Sequence, residues 1–388
     1  MKDKTTRRQF LGEATSLTAG GLTASMLVGG RAMGSVHVHG NETIQVALVG
    51  SGGRGTGAAY QSLAVPRGQT RLVAMADVFK DRLDNSVRAL KNAFEDRFDV
   101  PEERQFLGFD AYRHAMDCLR PGDVVILTTP PAFRWVHFKY AIERGLHVFM
   151  EKPLCVDGPT SRRMLELADL SEQKNLKVGV GLMSRHAAPM LELHERVRNG
   201  ELGEIIAQRG YRMQGAVGTF RSLPVPEGMN ELEYQIRRFH SFLWTSGGCF
   251  NDFNIHIIDH LAWMKGAWPV KAQATGGRHW RFREDGVPYV DQNFDSYAVE
   301  YTYPDGTKME FKGRTIDGCR EQYASYMHGT KGAAVVSNNG DCGEPSRIYR
   351  NHEFRRSNVV WQSTDLTEEN GNPYQNEWNV LIDAIIAD

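Results

Sequence analysis

Apolar residues come in short unbroken runs through the first half of the chain and in alternation through much of the second. Residues 44–49, 71–76, 123–128, 147–150 and 177–181 read as buried strands, rich in Val, Ile and Leu. Residues 56–63, 81–94, 133–144 and 161–175 read as helices between them, with Gly145 as a C-terminal stop. Residues 106–119 carry mixed helical signals. Strands alternating with helices of this length predict an α/β fold whose first part is a doubly wound, parallel Rossmann sheet. From Leu202 the pattern changes. Residues 205–213, 270–275, 296–303, 308–312, 323–328 and 332–337 are strand candidates, and Pro304-Asp305-Gly306 is a turn between two of them. This half predicts an α+β domain with a mostly antiparallel sheet. Residues 214–238 read as a long polar loop over the site, and residues 250–265 as one amphipathic helix.

A length of 388 residues exceeds what one core usually holds. The division expected is a leader and linker at 1–40, a nucleotide domain at 41–185 and a substrate domain at 186–388. A net charge of −1 gives no electrostatic case for nucleic acid or an anionic membrane. The five cysteines are scattered and form no C-x-x-C, which indicates neither a disulfide framework nor a zinc ribbon.

The chemistry gathers where predicted strands end. Gly50, Gly52 and Gly55 fit G-x-G-x-x-G directly after the first strand, and Asp77 ends the second strand 22 residues after Gly55. A glycine turn lets backbone amides approach a pyrophosphate, and an acid at about that offset meets an adenosine ribose. Thr129, Glu151-Lys152-Pro153 and Arg185 also follow strand ends, so all should line one edge of the sheet. In the second half, Asp252 and His256 are four apart and share a helical face. The spacing alone also suits a core histidine bonded to a carbonyl, or, with His260, a metal site, although no further ligand is suggested.

The glycine loop, Asp77, Thr128-Thr129-Pro130-Pro131 and above all Gly145-Leu-His-Val-Phe-Met-Glu-Lys-Pro153 resemble the Gfo/Idh/MocA oxidoreductases, over nearly everything after Thr43. The resemblance implies NAD, with NADP as the alternative, held by Gly50, Gly52, Gly53, Arg54, Gly55, Asp77, Thr129, Pro130, Glu151, Lys152 and Arg185. It implies Lys152 on the reacting hydroxyl, a cis Lys-Pro bond, His256 as general base and Asp252 as its partner, with no metal. The expected enzyme is an NAD(P)-dependent oxidoreductase acting on a sugar or polyol, in a homo-oligomer. A glycosidase that oxidises, eliminates and re-reduces its sugar would use the same residues, and a non-catalytic sugar- or nucleotide-binding protein is a third reading, which intact Lys152, Asp252 and His256 disfavour.

Thr6-Arg7-Arg8-Gln9-Phe10-Leu11 resembles the twin-arginine export signal, followed by a Thr-, Ser- and Gly-rich apolar stretch too short and too polar to span a membrane. A periplasmic or otherwise exported protein is expected, cleaved between Ala32 and Gly40 and carrying a cofactor loaded before export. The chain stops soon after an amphipathic helix begins at Trp378, which reads as a shortened C-terminus.

Overall fold

The computed structural model describes residues 43–343, 345–364 and 371–387, and the leader reading lies outside them. The first half runs β1 (Thr43–Val49), α1 (Gly53–Leu63), β2 (Gln69–Asp77), α2 (Lys80–Ala93), β3 (Gln105–Leu107), α3 (Ala111–Asp117), β4 (Val124–Leu127), α4 (Arg134–Glu143), β5 (His147–Met150), α5 (Gly158–Gln173) and β6 (Val178–Val180). The six strands are parallel in the order β3-β2-β1-β4-β5-β6, the doubly wound arrangement. Both faces are covered: Val46, Leu48 and Ile126 look into one apolar cluster, Ala47, Val49 and Val125 into another. That is why these strands lack a polar face. Helix α5 starts where the sequence can cap it: Asp157 accepts from the Thr160 amide at 2.7 Å, with Pro159 in the first turn. β3 overlaps the start of the stretch that carried mixed helical signals. It is three residues long and too short to show a period.

The second half continues with α6 (Ala188–Arg198), β7 (Ile205–Gln214), α7 (Glu231–Arg237), α8 (Leu243–Ser246), α9 (Gly248–Asp252), α10 (Ile255–Lys265), β8 (Lys271–Gly277), β9 (Ser296–Thr302), β10 (Lys308–Thr315), β11 (Gln322–Gly329), β12 (Gly332–Ser337), β13 (Arg347–Tyr349), β14 (Val359–Gln362) and α11 (Pro373–Ile386). The strands form one sheet in the order β14-β13-β12-β11-β7-β10-β9-β8, antiparallel except where β7 runs parallel to β10. Helix α10 lies on one face, with Ile257 and Leu261 buried among Phe311 and Met327. Gln208 reaches from the sheet to the Leu261 carbonyl at 2.8 Å.

Three expectations change. The helix read over 250–265 is two, because the chain breaks at Phe253–Asn254 between α9 and α10. The polar stretch 214–238 holds α7, capped by Asn230. The division at residue 185 leaves out α11, which packs into the core of the first sheet, with Trp378 stacked on Phe149 at 4.6 Å and Leu381, Ile382 and Ile385 beside it.

Candidate active site

The carboxyl ends of β1, β2 and β4 open into a cleft of about 680 Å³. Gly50 turns the chain out of β1 at φ +97, and a Cβ there would stand 2.7 Å from the Thr129 amide nitrogen. A Cβ on Gly55 would lie 2.0 Å from the Gly50 carbonyl oxygen, so only glycine lets α1 approach β1 this closely. Gly52 and Gly53 face open space, and α1 has neither a side-chain cap nor an acid in its first turn. Its leading N–H groups are therefore available to an anion. Asp77 closes this end of the cleft, accepting from the Ser51 amide at 2.6 Å and the Phe79 amide at 2.8 Å. Burial raises its pKa, opposed by those amides and by Arg82. Ile236, Phe239 and His240 cover the cleft from the second half of the chain. Arg237 on α7 pairs with Asp81 on α2 at 2.8 Å, and Arg82 donates to the Arg237 carbonyl at 3.1 Å, so this cover is tied to the nucleotide domain. These features fit a dinucleotide.

Beyond β5 lies a cluster of polar side chains, with Arg134, Asp252 and His256 buried. Arg134, buried on α4, donates to the carbonyls of Leu127 (2.7 Å), Thr129 (2.5 Å) and Glu151 (2.5 Å). It thereby fixes the ends of β4 and β5 that carry Thr129 and Lys152. Burial lowers its pKa to about 10, which leaves it charged at neutral pH. The Lys152–Pro153 peptide is cis. Lys152 Nζ donates to the Asp252 carbonyl at 2.7 Å and lies 3.7 Å from its Oδ1. His240 stands 3.3 Å from Asp252 Oδ2. Because the Thr219 amide donates to His240 Nδ1 at 3.2 Å, His240 is the tautomer with hydrogen on Nε2, which donates to Asp252. Burial of Asp252 opposes its charge, but Lys152 and His240 outweigh that and hold its pKa below the ordinary value. His256 opens the first full turn of α10, with Nδ1 3.9 Å from Asp341 Oδ1. Burial, then Lys152, His260 and Arg212, depress its pKa well below 6.5, so the ring is neutral.

A profile described as the oxidoreductase family with an NAD-binding Rossmann fold matches residues 44–182, and one for the GFO/IDH/MocA C-terminal domain matches residues 190–335. The chain belongs to the GFO/IDH/MocA oxidoreductase family. It is 32% identical over 265 residues to an inositol 2-dehydrogenase of Corynebacterium glutamicum, covering 68% of this chain and 66% of that one. It is 27% identical over 201 residues to the scyllo-inositol 2-dehydrogenase (NAD(+)) of Bacillus subtilis, covering 51% and 47%. The match thus spans about two thirds of the first relative's length and under half of the second's. Among solved structures, levoglucosan dehydrogenase in complex with NADH superposes with a TM-score of 0.65 at 17% identity, over 89% of this chain and 90% of that one, a likeness of fold.

Within this GFO/IDH/MocA framework the expected site residues divide. Gly50, Gly52, Gly53, Arg54, Gly55, Asp77, Thr129 and Pro130 line the cleft. Three arginine and glutamate side chains have other engagements. The Arg54 guanidinium turns to Glu151, to Glu377 on α11 at 3.4 Å and to the Tyr374 ring. Glu151 is taken up by that pair and does not line the cleft. Arg185 is placed elsewhere: it holds Asp259 in a bidentate pair, closest at 2.6 Å, and lines a separate cavity beside Trp263. The expected Asp252–His256 pairing also differs. With the helix broken between them, Asp252 faces Lys152 and His240, and Asp341 is the acid at His256. His260 is committed to Ser325 (3.2 Å) and Ser184 (3.1 Å), so it completes no metal site with Asp252 and His256. Among the described residues no group of three or more His, Cys, Asp and Glu could hold a metal ion.

Sequence reasoning missed Arg134, His240, Arg212 and Asp341. Only His240 carried a local signal, as a histidine a few residues before the Gly247-Gly248 turn. The others reach the site through tertiary packing.

Proposed function

We propose that this protein oxidises a ring hydroxyl of a sugar or cyclitol, with NAD as cofactor, and that Lys152, Asp252 and His256 are its catalytic residues. The observation that carries the reading is a bridge: Asp252 joins Lys152 to His240, and His240 lines the dinucleotide cleft. The amides of the first turn of α1 would hold the pyrophosphate and Asp77 the ribose diol, which disfavours a 2′-phosphate. NAD, when bound, supplies the hydride acceptor. Lys152 would donate a hydrogen bond to the reacting oxygen and offset the charge that develops on it. His256, buried and neutral, would take the hydroxyl proton. Asp252 would hold the lysine in place, and the Phe253 ring, 5.9 Å from its Nζ, would exclude water around it. The inositol dehydrogenase relatives support a polyol substrate, and the tied cover over the cleft supports a cofactor retained through each catalytic cycle.

Export through the twin-arginine route remains part of this reading and rests on residues 6–11. A protein that carries NAD outward would regenerate it within each cycle, since free NAD is scarce there.

The test is to purify the protein without added nucleotide, identify the released small molecule by mass spectrometry, and follow reduced-nicotinamide fluorescence and products over a panel beginning with myo-inositol and scyllo-inositol. Retained NAD that is reduced by a polyol is expected. Release of an aglycone from a glycoside with no net redox change would replace the dehydrogenase by the glycosidase. Protein that neither retains nor binds NAD in a titration would refute the reading.

A further inference from the structure

Asp341 sits in the turn after β12, far in sequence from any catalytic motif. The turn is held firmly. Ser337 Oγ donates to the carbonyls of Gly340 (2.7 Å) and Gly343 (3.3 Å), the Asn338 amide to Gly343 at 2.9 Å, and the Gly340 amide to Tyr323 on β11 at 3.1 Å. Gly340 and Gly343 adopt φ +117 and +95, backbone that a side chain would strain, so the turn presents Asp341 through two glycine positions. Next to Tyr323, on the same sheet face, Arg212 lies over the tyrosine ring at 3.5 Å. This face looks at the first turn of α10.

We propose that Asp341 is the positioning residue for His256: its carboxylate accepts from Nδ1–H, leaves Nε2 bare to receive the substrate proton, and balances the imidazolium that forms. This rests on the proposed role of His256 as base. Four groups face that ring: Lys152 from beyond β5, Arg212 from β7, His260 from the next turn of α10, and Asp341. Two are cations, His260 is neutral, and the only acid among the four is Asp341. Asp252, the expected partner, is already engaged by Lys152 and His240. A base surrounded only by cations and apolar walls would be too weak to take a hydroxyl proton, so the nearby carboxylate supplies what the motif's own aspartate does not. The 3.9 Å separation is longer than a hydrogen bond. Catalytic contacts of this kind commonly tighten when substrate is seated.

The experiment uses the full-length protein labelled with 15N-histidine and saturated with NAD, with the His256 signals identified by their loss in His256→Gln. The expected spectrum at neutral pH has hydrogen on Nδ1 and a bare Nε2. Asp341→Ala should give mixed tautomers, and the isosteric Asp341→Asn should lower the pH at which the ring protonates. Asp341→Glu should restore the single tautomer. On the polyol that reduces the bound NAD, Asp341→Asn should lose tenfold or more in kcat with KM within about threefold. A His256 tautomer and titration unchanged in both Asp341→Ala and Asp341→Asn, in protein that melts normally, would overturn the assignment. The NMR arm needs no turnover. Inactivity on all polyols would therefore count against the proposed function alone, and an unmoved tautomer in an active enzyme against Asp341 alone.

Discussion

Replacing Glu377 by Gln should stabilise the protein, and should do so more as pH rises. Glu377 lies on α11, almost wholly buried, with the Arg54 guanidinium 3.4 Å away and Glu151 on the far side of that arginine. Burial first, and then repulsion from Glu151, push its pKa from 4.5 up to about 9, with Arg54 pulling the other way. The sign follows from linkage. A carboxyl whose pKa is raised by folding contributes fully below its unfolded pKa and loses that contribution as pH rises towards the folded value. Between 4.5 and 9 the native protein keeps a proton that the unfolded chain releases. Each pH unit in that window costs about 1.4 kcal/mol. At pH 7 the cost reaches about 3 kcal/mol. Glutamine has the same shape and no proton to release, so Glu377→Gln should gain up to about 3 kcal/mol at pH 7 and under about 1 kcal/mol at pH 5. Urea unfolding followed by tryptophan fluorescence at both pH values, with equal m-values, measures the difference. A variant less stable than the parent at pH 7, or a gain that does not grow with pH, would show that Glu377 is ionised in the fold and that Arg54 outweighs its burial.

Lys152→Ala and His256→Ala should each cut turnover about a hundredfold or more while NAD stays bound, measured by single-turnover reduction of the resident cofactor; near-normal turnover in the histidine variant would make it structural. Chelators should leave activity unchanged, and inactivation that added metal reverses would contradict the metal-free reading. NAD should bind more tightly than NADP, with Asp77→Ala weakening NAD by about tenfold or more in a fluorescence titration; equal affinities would point to Arg82 as the stronger determinant. Changing Arg7 and Arg8 together to Lys should abolish export, and undiminished periplasmic protein in that variant would show the leader reading to be wrong.

The parts of the fold legible in sequence are those where burial leaves no choice of residue. β1, β4 and β5 sit between two covered faces and read as unbroken apolar runs, and Gly50 and Gly55 occupy places that admit no side chain. Lys152 was legible because its strand end and following proline are local. β13 and β14 were not: three or four residues at a sheet margin, partly polar, show no period. The break at Phe253–Asn254 was hidden because apolar spacing continues across it while the hydrogen bonding does not. The Asn254 amide reaches back to Cys249 at 3.3 Å, one residue further than an α-helix would. That one displaced bond separates Asp252 from His256. Arg185 misled for a related reason: it does follow a strand end, but Asp259, one helical turn beyond the histidine motif, captures its charge. His240 and Asp341 become site residues only when a covering segment and a sheet turn fold onto α9 and α10.

The seating of α11 against the first sheet has a consequence for how the protein is made. During synthesis the nucleotide-binding strands leave the ribosome long before the helix that completes their cover. Until residues 373–386 arrive, the side of Phe149 that Trp378 occupies has no partner, and Arg54 and Glu151 lack Glu377. The last helix in chain order therefore completes the cover of the domain that is translated first. Cutting the chain at residue 185 would not free a self-sufficient cofactor module; it would produce one with an apolar seam along β5 and β6, ready to stick to whatever lies nearest.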